Sequence, residues 1–280
     1  MYNLRYHLAS LVAVFLALAL GLILGGLVVG QGALDAQQRA IVSGLQRDFK
    51  RLNDDNQSLS AEINVERDFS EQMTNEWVRD RLIGRNVVVL TSGDKNEGLA
   101  SAVAAIESAG GKAAVVTLDK SGMGLSDPKI VAAARSVVGT PANLAESVAA
   151  SLAAEWTGTG ARPLTEALSE AGALTVEGLV SSAEATQAVT LAAFDGKPDT
   201  VAMGIAEAYA AAGFNALGAQ TMTSGNSVAA TAAAARLSAF DTLGTAPGQF
   251  TLVALFSGGR QGYYTLGNED GPIFPPVPQP

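Results

Sequence analysis

The chain has 280 residues with 18 Lys and Arg against 27 Asp and Glu, a formal charge of −9, one His and no Cys. The absent thiols exclude disulfides and thiolate metal sites. The acidic balance offers no basic surface for a phosphate backbone, so nucleic acid is not expected as a partner.

Residues 1–7 form a short tail that holds Arg5 and His7, and Leu8 to Val29 then carries no charge. As a helix this run rises roughly 33 Å at about 1.5 Å per residue, enough for a hydrocarbon core of about 30 Å. A cleavable signal has an apolar region of about 7–15 residues before a small-x-small site. The longer run here predicts a retained transmembrane helix in contact with lipid over 8–29, with cleavage near Gly30–Ala33 as the alternative. Arg5 precedes the span and Asp35 is the first charge after it. The positive-inside rule then predicts a single-pass plasma-membrane protein, its tail cytoplasmic and its bulk in the periplasm or cell envelope. Gly21 with Gly25, and Gly26 with Gly30, form two G-x-x-x-G spacings, candidates for packing against a second span. The plain alternative is that glycine is common in spans generally.

From Val42 the apolar residues keep a heptad register, with Val42, Phe49, Asn56 and Ile63 at a and Leu45, Leu52 and Leu59 at d. A seam of this length predicts a coiled coil, and Asn at an a position favours a parallel two-stranded form by pairing with its own copy. The expectation is a parallel homodimer; an amphipathic helix folded back on its own domain is the alternative. The register shifts after Ile63, where Phe69, Met73 and Trp77 make a displaced stripe, a stutter, with Trp77 expected to pack at the base of the next domain. A helix from Ala33 to Leu82 would reach roughly 75 Å at about 1.5 Å per residue.

The segment NVVVLTSGDKNEGLASAVAAIESAGGKAAVVTL places a buried-type strand Val87–Leu90, a helix Glu97–Ala109, a Gly-Gly stop and a strand Ala113–Leu118 in βαβ order, which implies a parallel sheet. Helices are expected over Pro128–Val138, Asn143–Trp156 and Thr165–Ala171, then a strand Ala188–Phe194, a helix Thr200–Ala212, a strand Asn215–Gln220, a helix Ser227–Ala235 and a short apolar stretch Leu237–Phe240. The last helix is marked by Thr245 as N-cap, Pro247 in its first turn and Gly258-Gly259 at its end. The Pro-rich end predicts an extended, mobile tail. The fold class is α/β: an N-terminal transmembrane helix over 8–29, a coiled-coil stalk over 33–82, a Rossmann-like head with a mainly parallel sheet over 84–271, and a tail over 272–280.

Ser92, Gly93 and Asp94 follow the first strand, where doubly wound sheets hold ligands. Yet the loop lacks both G-x-G-x-x-G and G-x-x-x-x-G-K-[ST], which aim amides at phosphate. A structural turn is the plainer reading, with a cell-wall-fragment or small-ligand module as the alternative. His7 is the single histidine, so the head holds no Ser-His-Asp triad and no His-based metal site. Asp94 with Glu97, and Glu269 with Asp270, read as solvated charges. Asp241 in SAFDTLGTAPGQ is a further candidate, though its loop more plainly caps and orients the last helix. No catalytic residue, metal ligand or cofactor is assigned, and the chain reads as a non-enzyme.

The opening MYNLRYHLASLVAVFLALALGLILGG, the heptad segment, NVVVLTSG and the closing FDTLGTAPGQFTLVALFSGGRQGYYTLG together resemble the actinobacterial MctB family of copper transporters, members of which are also known as SteB. The resemblance runs in order along most of the chain and is weak between residues 120 and 225. It implies copper efflux across the envelope. It also implies cell separation at the division septum, with SteA as membrane partner and a peptidoglycan hydrolase as downstream target. The residues favour the second. Copper(I) takes soft ligands, whereas the methionines beyond the initiator, Met73, Met123, Met203 and Met222, are out of helical reach of one another. A single apolar span encloses no pore. The expected function is an anchored scaffold or activator in cell separation, with copper handling as the alternative.

Overall fold

The computed structural model describes residues 4–30, 33–93, 98–178, 187–190, 198–222, 228–266 and 272–277. The chain divides into two compact units, Met1–Glu66 and Arg67–Pro280.

The first unit consists of α1 (Leu4–Gly30) and most of α2 (Ala33–Val78). Residues Leu4–Gly26 form a helix long and apolar enough to cross a membrane, and none of it is buried within the protein. Leu4, Arg5, Tyr6 and His7, ahead of the charge-free run, are already helical. Helix α2 ends four residues earlier than expected. Asp80 takes a positive φ of 63° and Gly84 one of 74°, which turns the chain and brings the Leu82 N–H to Ala109 O at 2.8 Å.

The second unit is built on a seven-stranded sheet in the order β3-β2-β1-β4-β5-β6-β7. Its strands are β1 (Asn86–Ser92), β2 (Lys112–Leu118), β3 (Leu174–Glu177), β4 (Gln187–Thr190), β5 (Asn215–Thr221), β6 (Ser238–Leu243) and β7 (Tyr263–Tyr264). Strand β1 runs parallel to β2 and β4, β5 parallel to β4 and β6, and β7 parallel to β6, while β3 is antiparallel to β2. The continuous apolar run of β1 has a simple cause. Val88 and Leu90 enter one core, Val87 and Val89 the other, so a strand covered on both faces needs no polar alternation.

The core holding Val88 and Leu90 is closed by α4 (Pro128–Val138), α5 (Leu144–Thr157), α6 (Pro163–Ala171), α7 (Thr200–Ala211) and α8 (Val228–Ala234). The opposite core is closed by α3 (Leu99–Ser108), α9 (Ala246–Phe256) and the last turn of α2 through Val78. Alanine allows these helices to approach closely: a Cβ added to Gly204 of α7 would lie 3.3 Å from Ala149 Cβ of α5.

Helix starts follow their caps. Asp127, Asn143, Asp199 and Thr245 each accept a backbone N–H from the first turn they precede. Two short strands lacked a sequence expectation, β3 and β7. The expected strand Ala188–Phe194 is observed as β4; residues 191–194, like Glu97 and Ser227, lie outside the described residues. Over 272–277 the tail is not free along its length as expected. Phe274 meets Phe250 edge-on at 6.0 Å between ring centroids and Pro275 is buried, because an aromatic and a proline ring cover apolar surface at little entropic cost.

Candidate functional site

The heptad positions of α2 are left exposed among the described residues. Val42, Leu45, Phe49, Leu52, Leu59 and Ile63 are between 52% and 72% exposed, and Asn56 sits among them, its Oδ1 accepting the Ser60 hydroxyl at 3.4 Å. Spaced three and four apart on one helix, these side chains lie on one face. They make a stripe of large apolar groups exposed along several turns of α2.

The displaced stripe beyond it divides. Phe69 and Met73 are exposed, whereas Trp77 packs on Phe250 of α9 at 4.3 Å between ring centroids, with the Arg81 guanidinium 4.7 Å above its indole. Trp77 thus sits at the base of the sheet unit as the sequence predicts. In α1, a Cβ on Gly21, Gly25 or Gly26 would meet nothing within 4 Å, which leaves that face open; Gly30 is the last residue of the helix.

The edge candidates at the end of β1 fare differently. Ser92 is 1% exposed and its hydroxyl has no hydrogen-bond partner among the described residues. Gly93 has a φ of 75° and donates its N–H to Leu118 O at 3.1 Å. Asp94 lies outside the described residues. The loop after β6 caps α9 as expected, through Thr245, and Asp241 itself has another role. Its carboxylate accepts the Thr265 hydroxyl and the Leu266 N–H and so ties β6 to the strand beside it, while Thr245 caps α9 through Gly248 N at 3.2 Å.

Sequence reasoning missed a cleft of about 360 Å³ between the end of α2, α3 and the start of α9, lined by Glu71, Asn75, Ser101, Ser108, Thr245 and Gln249. Gln249 spans it, donating to Ser108 Oγ at 2.9 Å and Asn75 Oδ1 at 3.4 Å. These polar residues come from three elements remote in sequence, so no spacing announces them. A larger groove of about 800 Å³ runs between α5 and α7, walled by alanine and glycine with Glu146 and Glu207 at its edge.

The sulfur and acid groups are scattered. Met123 and Met203 are enclosed in the same core, while Met73 and Met222 are exposed. Among the described residues no three His, Asp or Glu side chains form a metal-ligand set. Tyr209 is buried with its hydroxyl unpartnered among the described residues, and burial pushes that phenol upward against the opposing field of Arg162.

Against known proteins, the whole-chain match is to a family described as "Copper transport outer membrane protein, MctB", over residues 1–275. Proteins named "Copper transporter MctB" from Mycobacterium bovis and Mycobacterium tuberculosis are 32% identical over 118 residues, 42% of this chain. That stretch spans 37% of each relative's length.

Proposed function

The chain belongs to the MctB family, and on that premise we propose that it is a membrane-anchored envelope scaffold that acts through protein contacts along the seam of α2 and on the sheet unit. The family description names transport rather than a reaction, in keeping with a protein that does no covalent chemistry. In this reading α1 is a single retained span, with Arg5 on the cytoplasmic side and residues from Ala33 onward in the envelope, as the flanking charges favour. The sheet unit is a Rossmann-like platform: numbered along the chain, its strand order 3-2-1-4-5-6 is that of the doubly wound fold, with β3 reversed.

The observation that carries the proposal is the exposed seam. Burying six large apolar side chains against a second helix returns roughly 25 cal/mol for each Å² removed from water, a strong drive toward a partner. The process served is cell separation, the role that the resemblance to SteB implies, with a SteA-like membrane protein and a peptidoglycan hydrolase as partners.

The test is complementation of a deletion strain. Leu52→Glu with Leu59→Glu places charge at two d positions and should leave cells chained and unseparated. Met203→Leu with Met222→Leu removes sulfur at nearly constant volume and should separate normally. Copper sensitivity from the methionine variant, with normal separation from the seam variant, overturns the proposal.

A second reading, copper handling, is favoured by the family description and by the names of the mycobacterial relatives. In that case copper would be held with a partner channel or at a site shared between chains. Calorimetric titration of copper(I) into the detergent-solubilised chain separates the two, because tight stoichiometric binding supports the second and its absence leaves it without a ligand set.

A further inference from the structure

Resting on the reading that the seam of α2 is the working surface, we propose that its second strand is a basic helix of another protein rather than another copy of this chain. The residues that flank the seam are acidic on one side and neutral on the other. With Val42 at a, the g positions are Asp48, Asp55 and Glu62, all acidic, and the e positions are Gln46, Asn53 and Ser60, all neutral. The three acids are exposed, and none forms an ion pair within 4.0 Å of a described cation.

In a parallel two-stranded coil each g side chain faces the e residue five positions further along the other strand, and these contacts set partner choice. Self-pairing would place Asp48 against Asn53 and Asp55 against Ser60, with no attraction in either. Glu62 would meet a cation, Arg67, which already lies 3.9 Å from Glu71 in its own chain. An antiparallel self-pair is worse, since it brings the acidic g edges together. A parallel helix with apolar a and d residues, a polar residue facing Asn56 and Lys or Arg at successive e positions neutralises all three acids. The pattern therefore selects by charge what the apolar seam selects by shape, and self-association loses.

The full-length chain in detergent micelles is titrated with two labelled synthetic helical peptides. Both carry Ile and Leu at a and d and one Asn opposite Asn56; they differ at e, with Lys in one and Glu in the other. Fluorescence anisotropy at low salt should show the Lys peptide binding about tenfold tighter or more, with the gap narrowing as salt screens the exposed pairs. The triple substitution D48K/D55K/E62K should invert the preference. Equal affinities, or self-association that neither peptide displaces, overturns the proposal. The two readings fail differently. If L52E/L59E abolishes binding of both peptides but wild type does not discriminate between them, the charge assignment alone is lost. If neither peptide binds and L52E/L59E separates cells normally, the seam itself is lost.

Discussion

Gly248→Ala puts two opposing effects at one atom. In a helix the exchange ordinarily favours folding by about 1 kcal/mol, because glycine gives up more backbone freedom. Gly248 lies in the first turn of α9, where that turn presses on β6. A Cβ there would stand 2.0 Å from Thr242 O, 2.5 Å from Thr242 C and 2.9 Å from Leu243 N, where ordinary contact begins at 3.4 Å. The obstacle is strand backbone, not a side chain free to swing away, so α9 must retreat by more than an ångström.

That retreat strains the Thr242 carbonyl, which accepts the Thr245 N–H at 3.1 Å and the Thr245 hydroxyl at 2.7 Å. It also loosens Leu252, Val253, Leu255 and Phe256, all fully buried. Overpacking costs about 1–3 kcal/mol and two hydrogen bonds about 1 kcal/mol each; less about 1 kcal/mol of helix propensity, the net loss is about 2–4 kcal/mol. Urea denaturation followed by Trp fluorescence reads it directly, since Trp77 and Trp156 both lie in the unit that contains α9. The midpoint should fall by about 1 M or more, taking a slope of about 2 kcal/mol per M. A variant as stable as wild type, or more so, refutes the reasoning. Gly44→Ala is the internal control: its Cβ meets nothing within 4 Å, so the same exchange in α2 should stabilise the helix by about 1 kcal/mol, read as a higher midpoint in circular dichroism.

Asp199 is 4% exposed and accepts N–H groups from Gly122 at 2.6 Å, Val201 at 2.9 Å and Ala202 at 3.2 Å; Asp199→Ala strands these donors and should cost about 2–4 kcal/mol, whereas a loss under about 0.5 kcal/mol in denaturation would show that the cap is dispensable. The Thr165 hydroxyl accepts the buried Trp156 Nε1–H at 3.0 Å and donates to Glu155 at 2.7 Å, so Thr165→Val should cost about 2 kcal/mol through an orphaned indole donor, measured the same way. The Lys120 ammonium 2.9 Å from Asp127, together with the Lys129 N–H, holds that carboxyl below the usual carboxylate range. A depressed value means that Asp127 stabilises the fold above the ordinary carboxylate value, and that this contribution fades as pH falls through the depressed one. Asp127→Asn should therefore lower the thermal midpoint at neutral pH by more than at about pH 2, a small difference because the group is exposed.

Where a single segment settles its own structure, the sequence was sufficient. Pro128–Val138 is a helix because Asp127 caps it, Pro128 fits its first turn and Gly139 ends it, all within one stretch of chain. That Leu4–Gly30 and Ala33–Val78 are helices follows in the same way from local patterns that need no distant partner. Pairing between distant segments was not legible. Leu174–Glu177 is too short and mixed to read as a strand, and becomes one because β2 offers it an open antiparallel edge. The partners of Asp241 were not legible either, because the chain returns over more than twenty residues to bring Thr265 and Leu266 to it. The cleft at Gln249 exists because three helices meet there. Local signals fix backbone propensity and the ends of elements, whereas which edges, carboxylates and helix faces meet depends on contacts that close long loops. Only the assembled core decides among those contacts.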